Sequence, residues 1–284
     1  MVPTTAPKKY ASLAKRYKTQ PPEQIFAHFS FDRERGENWE TPYYHLQRMA
    51  KDEDWNFHRD QFKATGQTYP ILTSYLNYTF LRLQELNRIK YSTDEMRACF
   101  NTGLQTPNEK DIFATFRRNR FAREGKGPDW ILFGFFDSYS DRLADFKPLP
   151  EIASYIEDPA DLVCDTSYTF EVNYDHIFED NRERLPDVLK DNRTLAISAI
   201  QGSVELLKQK IIRNYKIAIP HWYDSKLQLL LPLNLTSAHE ADLALVADKD
   251  KERRIYRVRT VLTMDMAYVD ARLITRPDRE WLNP

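Results

Sequence analysis

The sequence predicts an α+β fold, with an N-terminal helical part packed on a mixed, mainly antiparallel sheet that ends in a C-terminal β-meander. Three observations carry this. Helix-like and strand-like segments come in blocks rather than in strict alternation, which argues against a parallel βαβ sheet. Two segments, 69–89 and 195–214, repeat apolar residues at three- and four-residue steps. Four strand-like runs then follow one another between residues 215 and 268.

The chain has 284 residues, 42% of them hydrophobic and 13% aromatic, enough to bury a sizeable core. Its 41 basic and 42 acidic side chains nearly cancel, so no global field draws it to nucleic acid or to an anionic membrane, and any contact with phosphates must be local. Cys99 and Cys164 have no second cysteine at metal-ligand spacing, which argues against a disulfide framework and a zinc cluster. The first residues lack the apolar core of a signal peptide, and no apolar run approaches membrane-spanning length. A cytoplasmic protein is expected.

Taken in order, residues 1–22 mix Pro, Lys and Thr without apolar periodicity and are expected to form a flexible basic arm, with residues 23–284 forming a single α+β domain that can subdivide near 150. Phe26, Phe29, Phe31, Trp39 and the "DEDWNF" stretch at 52–57 need burial. "YPILTSYLNYTFLRLQELNRI" reads as a helix with Pro70 in its first turn, carrying Ile71, Tyr75, Tyr78 and Leu86 on one stripe. "RACFNTGLQTPNEKDIFATF" reads as a short strand, a turn at Gly103, and a second helix opened by Thr106 and Pro107.

"PDWILFGFFD" is a continuous apolar run, expected to be a strand buried on both faces. "SYTFEVNYDHI" alternates, with Tyr168, Phe170, Val172 and Tyr174 on the covered side. Residues 195–214 form the clearest helix, with Ile197, Ile200, Val204, Leu207 and Ile211 as its core stripe. The runs "YKIAIP", "KLQLLLPL", "ADLALVAD" and "RRIYRVRTVLTMDMAY" give the meander, with "DKDKER" as a charged hairpin tip.

The last run suggests a site. As one strand it would put Val258, Leu262, Met264, Met266 and Tyr268 on its apolar side, and Arg257, Arg259, Thr263 and Asp265 on its back. Same-face residues of neighbouring antiparallel strands lie within roughly 5 Å, so Gln228 can join that back row. Arginines beside a carboxylate hold phosphate or carboxylate groups, and the Asp supplies a base. The alternative is a salt-bridged solvent face.

Asn101, Thr102 and Gly103 make a second candidate, a turn able to hold an anion, against the alternative of an ordinary connection. "FRRNRFAREGKG" interleaves arginine with phenylalanine, either to stack on bases or as a solvated helix end. Lys208, Arg213 and Lys216 run along a helix end. His176 and His221 match no nucleophile or metal pattern and are expected to be structural, with His176 open to an acid or base role beside Asp175 and Glu179. No metal or nucleotide-cofactor motif is found, which leaves the cofactor open.

Together "FNTGLQTPNEKDIFATFRRNR", "YDHIFEDNRERLP", "IRNYKIAIPHWYDSKLQLLLPL", "ADLALV" and "RTVLTMDMAYVDARLITRPDREWL" give a chain that resembles the domain of unknown function 3825 family over residues 50–282. The resemblance implies an RNA-related role, because that domain travels in bacteria with RNA-binding partners such as cold-shock domains. It places Asn101, Gly103, Asn214, Tyr215, Gln228, Arg259, Thr263, Asp265, Tyr268 and Arg272 in the family pattern without assigning them roles.

The expected function is an enzyme acting on a polar anionic or RNA-linked substrate by acyl or phosphoryl transfer, for example an aminoacyl-tRNA-dependent transferase. Arg259 and Arg213 are expected as anion clamps, Asp265 as general base or orienter, and Tyr215 or Tyr268 as hydroxyl donor. Gln228, Thr263, Asn101, Gly103 and Asn214 are expected to complete substrate binding, with the "FNTGL" turn projecting into the same cleft. The rival is a non-catalytic RNA-binding module in which the same arginines touch phosphates.

Overall fold

A computed structural model describes residues 8–30, 41–55, 69–122 and 127–275. The fold is α+β, and the chain divides between Ser154 and Tyr155 into two compact units, each with its own five-stranded sheet. Phe31, Trp39 and Phe57 lie outside the described residues.

The first unit contains β1 (Ala27–His28), α1 (Pro42–Met49), α2 (Pro70–Glu85), β2 (Lys90–Tyr91), β3 (Arg97–Gln105), β4 (Asp111–Arg118) and β5 (Trp130–Asp137). Its sheet runs β1-β5-β4-β3-β2, antiparallel except for the β1–β5 pair. The helical part expected here is chiefly α2, packed on β3 of a five-stranded sheet of which the sequence marked only the strands at β3 and β5. Phe26, Phe80, Phe100, Phe116 and Trp130 build one layer, with ring centroids 4.7–5.8 Å apart. On another side Cys99 and Phe113 pack with Leu143 and Phe146.

Three expectations fail in this unit. Residues 8–22 are no free arm: Tyr10 and Leu13 are buried, and Ser12 bridges to Ile25. The helix expected at Thr106 is the turn of a β3–β4 hairpin. Thr-Pro opens a helix, but it also fills the first two positions of a β-turn, and Glu109 takes φ +61° while its N–H donates to Thr106 O. The mainly apolar run 112–116, buried at every position, then extends as β4. β5 is only partly covered, with Phe133 at 44% exposure.

The second unit contains β6 (Thr169–Val172), α3 (Tyr174–Asp180), α4 (Asp187–Lys190), α5 (Arg193–Arg213), β7 (Ile219–Tyr223), β8 (Lys226–Leu233), β9 (Leu243–Asp250), β10 (Ile255–Thr263) and α6 (Met264–Ala271). The meander is as expected, with strand order β6-β10-β9-β8-β7 and β6 parallel to β10. Asn192 caps α5 by accepting the Leu195 N–H, and Ile200, Val204, Leu207 and Ile211 bury its stripe against Leu229, Leu231, Leu245 and Tyr256. Tyr168, Phe170, Val172 and Tyr174 pack onto the same core.

The strand expected through residue 268 ends at Thr263. Its hydroxyl accepts the Met266 N–H as an N-cap, and Met264, Ala267, Tyr268 and Ala271 follow at helical spacing, all buried. The segment 264–268 satisfies both periods, and α6 folds back onto β7, β9 and β10.

Candidate functional site

The register of the second sheet creates a polar row that crosses all five strands. Arg257 faces Glu171 on β6 and Asp248 on β9, and His221 on β7 faces Gln228 on β8. Gln228 Nε2 donates to Asp248 Oδ1 at 2.5 Å, joining the two halves. Exposure falls along the row, from an exposed Glu171 through partly buried Arg257, Asp248 and Gln228 to a buried His221.

The sheet splits at this row. The β8–β9 ladder runs from Leu233↔Leu243 to Leu229↔Ala247 and stops. The β7–β8 pairing continues to Tyr223↔Lys226, and the β9–β10 pairing to Ile255↔Asp250. Residues 226–228 and 248–250 therefore belong to hairpins that are no longer laddered to each other. A cleft of about 490 Å³ opens there, with Ser225 and Lys226 on one hairpin and Asp248, Asp250, Arg257 and Arg259 on the other. The Gln228–Asp248 hydrogen bond spans its apex. Tyr155 and Trp222, with ring centroids 5.8 Å apart, also line it.

Local chain chemistry holds this geometry. Asp224 and Ser225 both have positive φ, +48° and +57°, as a two-residue type I′ hairpin turn requires. A β-bulge between Val258 and Thr260 leaves Arg259 outside the β9 register and exposed.

Most charges in the cleft neutralise one another. Arg257 pairs with Asp250, Lys249 with Asp161, and Lys251 with Asp158 and Asp161. The Lys226 and Arg259 side chains form no ion pair or hydrogen bond among the described residues, which leaves two cations in the cleft with the Asp248 carboxylate. Such cations recognise anionic oxygens, and the carboxylate accepts a proton or a hydroxyl hydrogen bond. His221 is pushed down to about 4, first by burial, with the Asp248 charge and the neighbouring Gln228 pulling the other way.

Arg257 and Arg259 line the cleft, and Gln228 touches it through its hydrogen bond to Asp248; the other expected residues lie elsewhere. Asp265 is not on the strand's back: it sits buried in the first turn of α6, where a carboxylate suits the helix dipole. Thr263 is the α6 cap, and Tyr268 is buried on the same helix. Arg213, Asn214 and Tyr215 lie where the chain approaches β7 at Ile219, the end opposite the cleft. Arg213 donates to Gln209 O there, and Asn214 Oδ1 accepts the Lys216 N–H.

Asn101 and Gly103 have roles inside the first unit. Asn101 donates to Asp111 and accepts the Gly103 N–H, while Gly103, at φ +74°, leaves room for the Tyr75 hydroxyl. "FRRNRF" forms the end of β4 rather than a helix end. His176 pairs with Asp180 on α3.

Sequence reasoning missed Asp248 and set His221 aside. The signal was present in the turns. Once 224–225 is a two-residue turn, 223 pairs with 226 and 221 with 228; once the β9–β10 tip closes, 250 pairs with 255 and 248 with 257. Among the described residues no three metal-ligating side chains gather, and no helix is long and apolar enough to cross a membrane. No curated protein and no solved structure matches the chain. Residues 46–281 match the model of the family described as Domain of unknown function (DUF3825), and the chain belongs to that family.

Proposed function

Within that family, we propose that this chain is a cytoplasmic enzyme acting on a small polar substrate that carries an anionic group, held in the split-sheet cleft. The observation that carries the reading is the juxtaposition, at the mouth of an interrupted ladder, of the Gln228-oriented Asp248 carboxylate with two cations that form no ion pair among the described residues. Arg259 and Lys226 hold the anionic group and offset charge growing on its oxygens. Asp248 takes the proton of an attacking hydroxyl or water as it bonds to a carbonyl carbon or a phosphorus; the bond from that atom to the leaving oxygen breaks, and the leaving group takes the proton back from Asp248, as acyl and phosphoryl transfer both require. The two buried thiols, free rather than paired, support a reducing compartment.

Calorimetric titration with inorganic pyrophosphate tests the binding half. Saturable binding that weakens about tenfold in Arg259→Ala is expected, since a charge-assisted contact is worth roughly 1.5–3 kcal/mol. Affinity should change little between low and moderate salt, because few phosphates are engaged. Binding of RNA with a steep salt dependence would instead point to an RNA-binding module. Incubation with a metabolite extract, followed by mass spectrometry, tests the catalytic half: compounds consumed by the wild type and spared by Asp248→Asn are expected, and identical profiles would remove Asp248 from any reaction.

A further inference from the structure

The polar row continues past the cleft to His221, which is 2% exposed although β7 is an edge strand. The helix α6 packs over that strand. Neither ring nitrogen of His221 has a hydrogen-bond partner among the described residues, and neither does Gln228 Oε1. These three buried polar atoms stand on directly opposed residues of the β7–β8 ladder.

Buried polar atoms in a native fold are nearly always bonded, so three such atoms side by side need a cause. The Gln228 amide is not free to turn. Its Nε2 donates to a carboxylate, which can only accept, so its Oε1 must point away from Asp248. Across the ladder on that side stands the imidazole. The ring and the amide already interact, without yet meeting hydrogen-bond geometry. A neutral imidazole has one N–H to give, and a small rotation of either group delivers it to Oε1. The fold gains nothing from this histidine, since an apolar ring of similar size would fill the site without an orphaned polar group.

Building on the role given to Asp248 above, we infer that His221 and Gln228 are positioning residues for Asp248, the imidazole N–H docking on Gln228 Oε1 and so fixing the carboxylate against a cleft ligand. No proton leaves its nitrogen in this arrangement. The effect is orientation, passed along two hydrogen bonds from beneath α6 to the cleft.

The test uses the full chain with His221→Phe, Gln228→Leu, the double variant and Asp248→Asn. Three readouts apply: melting temperature, calorimetric affinity for inorganic pyrophosphate, and the His221 ring-nitrogen shifts by NMR. His221→Phe is expected to melt no lower than the wild type at neutral pH, yet to bind pyrophosphate on the order of tenfold more weakly. Gln228→Leu should weaken binding similarly, and the double variant no further, because the two residues act as one chain. Wild-type affinity in both single variants would overturn the inference while leaving the cleft's anion binding intact.

If the wild type does not bind pyrophosphate, the reading of the cleft fails and the ring nitrogens decide the inference separately. Their movement in Asp248→Asn, abolished when Gln228 is also Leu, supports the coupling. Unmoved nitrogens overturn it, and this readout still serves if His221→Phe does not fold.

Discussion

The two five-stranded sheets treat their buried polar side chains in opposite ways. In the first, Asn101, Thr102, Thr115 and Asn119 are all buried and all bonded: Asn101 to Asp111, Thr102 to Ile112 O, Thr115 to Gly134 O and Asn119 to Pro128 O. In the second, His221 and the Gln228 carbonyl are buried without such partners among the described residues. The ladders differ likewise. β3–β4 and β4–β5 absorb their irregularities as register shifts and run to the strand ends, whereas β8–β9 stops short. A fold satisfies its own interior by default. On the function proposed above, the contrast separates polar groups that serve architecture, in the first sheet, from polar groups that serve a site, in the second.

The largest effect should come from breaking the first sheet's core. Phe116 is 1% exposed, with the rings of Phe26 and Phe100 at 5.1 and 5.5 Å. Phe116→Ala should cost about 3–5 kcal/mol, read by chemical denaturation, since the cavity has rigid neighbours. A loss below about 1 kcal/mol would mean that this layer can collapse around the gap.

Next comes the pH dependence of the second sheet. Burial holds His221 down to about 4, against 6.5 for a free histidine. As pH falls below 6.5 the unfolded chain takes up the proton first. The stability tied to a neutral His221 is complete above that value and drains away as pH falls to about 4, a change of about 3 kcal/mol. Urea unfolding at pH 7 and pH 4.5 should show this loss in the wild type and little of it in His221→Phe. Equal losses in both proteins would assign the acid sensitivity to other groups.

A smaller effect sharpens the first sheet's side of the contrast. Gly103 has φ +74°, and a Cβ there would lie 2.7 Å from the Tyr75 hydroxyl. Gly103→Ala should cost about 1–3 kcal/mol through strain and crowding together. Adding Tyr75→Phe separates the two, because it removes the crowding oxygen and leaves the backbone strain. No relief in the double variant would leave strain alone as the cause.

Much of this architecture was legible in the sequence because long periodic segments admit one reading. The stripe of α5 repeats from Ala196 to Ile211, and the leucine-rich run 227–233 marks β8 as a strand, buried on both faces from Leu229 onward. Short segments at element boundaries carried two readings. "TPNEK" is both a helix start and a turn, and the apolar spacing of 264–268 suits a strand as well as a helix. In each case a contact distant in sequence decided: β4 pairs with β5, and α6 covers β7.

The site was half legible for a related reason. Gln228 and Arg259 stand out on their own strands, but Asp248 and His221 have no local signature. Only register brings them into the row, and register is a property of turns rather than of the residues themselves. Asp265 was favoured because a carboxylate on an alternating run looks like a strand's polar face. Its place in a helix's first turn instead follows from Thr263 acting as a cap.

The split in the second sheet is proposed above as an anion-binding cleft. The most direct measurement is an NMR titration of the ¹⁵N-labelled full chain with inorganic pyrophosphate, at low and moderate salt. Saturable shifts are expected, confined to the amides of residues 225–228 and 248–251 and to Arg259, needing about tenfold more pyrophosphate in Arg259→Ala and little affected by salt. Shifts scattered over exposed lysines and erased by salt, or no saturable shift at the split, would contradict it.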